Sequence, residues 1–145
     1  MKSFLTDFLL KKTQMKSIKY EVVFEPFTKR HFIKSFEKKY KSKWDFTLKS
    51  LEEEFEQIDL LFSKSVAETI IDCNGIKICK TEFKIAGSNK SRHGSGNRCI
   101  AAIHKDTSVV NVLLVYHKND LGNGNETAKW KQIIKDNYPE YCGLL

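Results

Sequence analysis

A chain of 145 residues, 41% hydrophobic and 30% charged with ten phenylalanines, has the apolar content of one folded domain and lacks the bias of a disordered or repetitive one. Its net charge of +7 favours polyanionic partners such as nucleic acid, an acidic protein or a membrane surface, without choosing among them. No apolar run approaches the roughly 18 residues that crossing a bilayer takes. The opening FLTDFLLKK is broken by Asp7 and followed by no small-residue cleavage site, so the expectation is a cytoplasmic protein without a signal peptide.

Residues 2–13 suit a short amphipathic helix with Phe4, Leu5, Phe8 and Leu9 on one side. Residues 1–16 are set apart as an N-terminal extension, and 17–145 are taken as a single domain. Ile18 to Phe24 alternates as a strand with Tyr20, Val22 and Phe24 on one face, and Pro26 closes it. Thr28 is placed to cap a helix over 29–41, where Phe32, Phe36 and Tyr40 recur at helical spacing. KSKWD reads as a polar connection. The next helix, over 47–63, carries Leu48, Leu51, Phe55, Ile58 and Phe62 on one stripe, with Glu52, Glu53, Glu54, Glu56 and Asp59 opposite. So short a connection predicts an antiparallel helical hairpin.

After Ser65 the period changes from 3.6 to 2. Asn74-Gly75 signals a tight turn and Ile76 to Ile85 a strand. Strands follow over Arg98–His104 and Val109–Lys118, joined by a turn at KDTS. VVNVLLVY is apolar on both faces and so belongs inside the sheet with cover on both sides. LGNGNE breaks the chain before a last helix over Thr127–Asn137, with Trp130, Ile133 and Ile134 inward and Pro139 as its stop. The expected fold is α+β: an antiparallel sheet of about four strands, an N-terminal helical hairpin and a C-terminal helix. Cys73, Cys79, Cys99 and Cys142 form neither a C-x-x-C pair nor a zinc spacing, which predicts reduced thiols, buried or half-buried, and no metal.

The stretch SNKSRHGSGNRCIAAIH departs from an ordinary solvated loop, because no carboxylate occurs between Glu82 and Asp106. The hairpin reversals bring Lys84, Lys90, Arg92, His93, Arg98, Tyr116, His117 and Lys118 to one edge of the sheet. Alternation sends Tyr116 and Lys118 to one face and His117 to the other. Lysine, arginine, histidine and tyrosine without carboxylates suit a phosphodiester: cations hold the phosphate, and His, Lys or Tyr moves protons. His31 and His104 stand apart and are expected at the surface. Gly94-Ser95-Gly96 is no P-loop, since the G-K-[ST] ending is absent.

With KTEFKIAGSNKSRHGSGNRCIAAIH, VNVLLVYHKND and NETAKWKQIIKDNY, the chain resembles the RelE/HigB-like branch of the RelE/ParE toxin superfamily over about residues 17 to 138. The resemblance implies a toxin of a bacterial toxin–antitoxin pair: a metal-independent, cofactor-free endoribonuclease that cleaves mRNA, often on the ribosome, and is held by an antitoxin. By position, Arg98 fills the family's Gly-x-Arg place as a phosphate clamp, Tyr116 and Lys118 the Tyr-x-Lys place, and Lys84 the basic-strand place. Arg92 and His93 fall where the loop supplies a further cation and a proton donor. Arg98, Tyr116, Lys118 and His93 are thus the catalytic candidates, and Lys84, Lys90, Arg92 and His117 the phosphate-binding ones. The alternatives are a ParE-like gyrase inhibitor and a non-catalytic module that binds RNA or an acidic partner.

Overall fold

The computed structural model describes residues 18–145, so the helix expected over 2–13 lies outside the described residues. Strand β1, Glu21–Phe24, leads into a helical stretch, α1, formed by Pro26–Thr28, a π-turn over Lys29–Ile33, and Lys34–Tyr40. Helices α2 (Ser42–Glu56) and α3 (Ile58–Ser63) follow, then strands β2 (Glu68–Cys73), β3 (Ile76–Phe83), β4 (Asn97–His104) and β5 (Val109–His117). A 3-10 turn over Lys118–Leu121 leads to α4 (Glu126–Asn137) and the short α5 (Pro139–Cys142).

The α+β class holds, but the sheet has five strands, in the order β1-β5-β4-β3-β2, and it is mixed. Strands β2 to β5 form an antiparallel meander, whereas β1 pairs parallel with β5 over Glu21↔Val109 to Phe24↔Val112. The expected count of four omitted β2, whose ETIIDC shows no clean alternation and whose register shifts between Thr69 and Ile71. The Asn74-Gly75 turn is as expected: both residues take positive φ, 55° and 80°, as a two-residue hairpin turn requires.

Thr28 does not cap a helix. Its buried hydroxyl accepts from the Val115 backbone N–H at 2.9 Å, where β1 has ended and leaves that edge of β5 without a strand partner. KSKWD is not a connection either. Lys41 alone, at φ 52°, separates α1 from α2. Trp44 in the first turn of α2 is fully buried, its ring stacked on Phe36 at 4.6 Å. The long second helix is interrupted at Gln57, which divides α2 from α3 without disturbing the stripe of Leu51, Phe55 and Ile58.

The sheet carries a core on each face. Helices α1 to α3 cover Cys79, Phe83, Cys99, Ala101, Val110, Val112 and Val115; α4 and α5 cover Ile78, Ile100, Leu113, Leu114 and Tyr116 with Trp130, Ile134 and Tyr141. The apolar reading of β5 on both faces is met. A bulge lies within it: Ile100 pairs Leu114 and Ala101 pairs Val112, so Leu113 is the extra residue. Its carbonyl accepts from the Tyr138 hydroxyl at 2.7 Å.

Cys79 and Cys99 are buried, but Cys73 and Cys142 are exposed, and all four are free thiols. Burial pushes the Cys79 thiol up to about 12, which makes it inert. Pro139 does end α4 but also opens α5. Among the described residues no helix is long and apolar enough to cross a membrane.

Candidate functional site

Where β3, β4 and β5 end together, register places Glu82 opposite Arg98 and Arg98 opposite Tyr116. The next row is Phe83, Asn97 and His117, directed to the other face. The sheet therefore splits the expected cluster. Arg98 and Tyr116 point to the α4 side and His117 to the α1 side.

On the α4 side Arg98 is nearly enclosed, its side chain 5% exposed. Its terminal nitrogens reach the carbonyls of Asn97 at 3.2 Å and His93 at 3.4 Å. Glu82 lies 3.8 Å from one guanidinium nitrogen and Glu126 3.9 Å from Nε. That Nε is buried and finds no hydrogen-bond partner among the described residues. The Tyr116 hydroxyl donates to Glu126 at 2.8 Å, and Lys80 reaches the same carboxylate oxygen at 3.3 Å. His93 meets Glu82 through Nδ1 at 3.0 Å, with its ring largely in solvent. Beside this group a cleft of about 340 Å³ is lined by Lys80, Glu82, Arg92 and His93.

The expected absence of carboxylates is overturned. Glu82, Glu54 and Glu126 all reach the site, because β3, α2 and α4 deliver them from outside the basic loop. Arg92 is spent largely on Glu54, to which its guanidinium bonds through both terminal nitrogens, with a further bond to the Glu82 carbonyl at 3.0 Å. The loop is anchored at its C-terminal end, where the buried Ser95 hydroxyl bonds with the Phe83 and Arg92 carbonyls and accepts from the Asn97 N–H. Lys84, Lys90 and Lys118 are exposed. Lys118 opens the 3-10 turn rather than extending β5. His31 is exposed as expected; His104 is half-buried against the Tyr141 hydroxyl at 2.7 Å.

Four side chains here escaped the sequence reading: Lys80, Glu82, Glu126 and Glu54. The first two carried a signal, since β3 alternation puts them on one face and the hairpin register sets Glu82 against Arg98. Glu126, the first residue of α4, carried none that sequence spacing could show.

The electrostatics favour ionised Glu126 and a neutral Tyr116. Burial first, then the hydrogen bond and charge of Glu126, push the Tyr116 phenol well above its ordinary value, so it remains a donor. Burial works to raise Glu126, but the Tyr116 hydrogen bond and the Lys80 and Arg98 charges outweigh it and hold the carboxyl below its usual range. The native state thus binds this proton more weakly than the unfolded chain. The resulting stability is complete above the ordinary value of 4.5 and is lost as pH falls through the lower native value. Glu126→Gln should flatten that limb of the stability curve in thermal unfolding between about pH 6 and about pH 3. Parallel losses in variant and parent would assign the acid sensitivity to other groups.

No protein-family model matches the chain, and no curated protein does. Among solved structures it is similar to a chain of the archaeal RelE-RelB complex from Pyrococcus horikoshii OT3, at 9% sequence identity and a TM-score of 0.47, over 70% of this chain and 97% of that one.

Proposed function

We propose that the chain is a metal-independent endoribonuclease, the toxin of a toxin–antitoxin pair, and that it cleaves RNA at the Arg98 group. The observation that carries this reading is the buried Arg98 guanidinium, with an unpartnered Nε–H, flanked by a carboxylate–histidine pair and a phenol. A guanidinium so placed stabilises a phosphorane, and its planar fork meets two oxygens at once. Glu82 takes the ribose 2′-hydroxyl proton as O2′ bonds to phosphorus. The P–O5′ bond then breaks, and protonated His93 gives its proton to the leaving oxygen. The products are a 2′,3′-cyclic phosphate and a 5′-hydroxyl. The Tyr116 hydroxyl donates to Glu126 and holds that carboxylate in place, while Lys84 and Lys118 draw the strand in.

The sequence resemblance supports the same assignment and adds two expectations: action on mRNA at the ribosome, and an antitoxin whose acidic or amphipathic segment covers the basic end of the sheet in the cytoplasm. A second reading, a non-catalytic RNA-binding module, is favoured by one observation. The Tyr116 hydroxyl is already bonded to Glu126, and the Arg98 terminal nitrogens to the His93 and Asn97 carbonyls. End-labelled RNA, with and without ribosomes, separates the two. The enzyme yields chelator-resistant fragments with cyclic-phosphate ends; the module retards RNA and leaves it whole.

A further inference from the structure

On the other face of the sheet the row of Asn97 and His117 looks onto α1 across a cleft of about 230 Å³ that Lys39 and Tyr40 help to line. A neighbouring cleft of about 260 Å³ shares Tyr40 and Asn97 with it and adds Lys43 and Lys90. Asn97 is thus the common wall of both. The residue is 3% exposed, and its Oδ1 is buried with no hydrogen-bond partner among the described residues. Such an oxygen is costly to bury alone and calls for a donor.

His117 is set opposite it with a defined tautomer. Its Nδ1 accepts from the Asn119 N–H at 3.1 Å, so in the neutral ring the proton sits on Nε2. The ring lies against Gly96, where a Cβ would stand 2.6 Å from Nε2 at a φ of 78°. Only glycine permits that approach. Lys39, Lys43 and Lys90 supply positive charge at the rim. The carboxylate lining the cleft, Asp120, accepts from the His117 backbone N–H. The cleft therefore offers cations and an N–H donor to an anion, and a buried acceptor to a group that carries hydrogen.

Hydrogen phosphate can meet the second need only through its own P–O–H, at the expense of an oxygen that the lysines would otherwise hold. A ribonucleotide meets both, through its phosphate and through a ribose hydroxyl or base amino group. We propose that the two adjoining clefts form one ribonucleotide-binding site, with the phosphate held among the rim lysines Lys39, Lys43 and Lys90 and the Asn97 oxygen accepting from the sugar or base. It lies on the opposite face from the Arg98 group and does not require RNA cleavage. The occupant is a free nucleotide or one unit of an RNA strand, since both present the same groups.

The test titrates the full chain with the four ribonucleoside 5′-monophosphates, a short oligoribonucleotide and inorganic phosphate, followed by calorimetry or amide chemical shifts. Saturable nucleotide binding should weaken about tenfold or more in Lys39→Glu/Lys43→Glu and remain in His93→Ala. Asn97→Ala should lose binding while its unfolding temperature holds or rises, which a purely structural asparagine would not do. Binding of mononucleotides assigns a free nucleotide, and binding of the oligomer alone assigns a strand. Inorganic phosphate binding as well as nucleotides, no saturable binding by any probe, or loss in His93→Ala instead of the lysine pair would each overturn the proposal.

Discussion

Arg98→Ala should abolish growth inhibition and lower RNA cleavage by roughly two to three orders of magnitude, the usual cost of a lost transition-state donor worth about 3–4 kcal/mol. Arg98→Lys should recover little, because an ammonium cannot offer the planar fork and the Arg98 pocket is shaped to carbonyls on one side and carboxylates on the other. Stability has to be followed alongside. Without Arg98, Glu82 and Glu126 flank the site with one cation fewer, which costs folding energy of its own. His93→Ala supplies the second arm, since its exposed ring holds little structure and its loss should remove the proton donor alone. His31→Ala, far out on α1, should change nothing. Full toxicity in both Arg98→Ala and His93→Ala at equal expression would remove the nuclease assignment and advance the binding-module reading.

The second large effect is on stability. Trp44 is fully buried, stacked on Phe36 and 6.1 Å from the Phe83 ring. Trp44→Ala should cost about 3–5 kcal/mol. For a chain of this size that lowers the unfolding temperature by about 10 °C or more. Trp44→Phe should cost far less, because it keeps a ring on Phe36 and removes an indole N–H that has no hydrogen-bond partner among the described residues. Equilibrium denaturation decides the matter. A loss below about 1 kcal/mol in Trp44→Ala would return this residue to the surface connection that its polar neighbours suggest.

Those neighbours explain why it was misread. Lys41, Ser42, Lys43 and Asp45 surround Trp44 with polarity, and a single positive-φ lysine leaves no glycine or proline to mark the helix boundary. Elements with a strong period or a strong turn were legible: the β3 to β5 meander, the Asn74-Gly75 hairpin, and the helix face of Leu51, Phe55 and Ile58. β1 was legible as a strand but not in its direction, because parallel pairing between residues 21–24 and 109–112 leaves no local trace. At the candidate site, hairpin geometry accounts for Arg98, Tyr116 and His93 lying near one another. Alternation also sent His117 to the opposite face, but nothing in the sequence singled out Asn97 beside it. Nor could a survey of charge along the loop reveal carboxylates that arrive from three other elements.

The bulge at Leu113 carries a meaning for the way such a protein can change over generations. Val110 and Val112 face α2, and simple alternation would send residues 114 and 116 there too. The extra residue reverses that parity, so Tyr116 joins Arg98 and His117 joins Asn97. Loss of the Leu113 codon itself would leave a regular ladder with Tyr116 still opposite Arg98, whereas loss of a codon between the bulge and Tyr116 would exchange a phenol for an imidazole on each face of the sheet. Substitutions along β5 alter these two chemistries one residue at a time, whereas an insertion or deletion beyond the bulge trades them in a single step. Lineages that keep both can accept many replacements in this strand but have little freedom in its length.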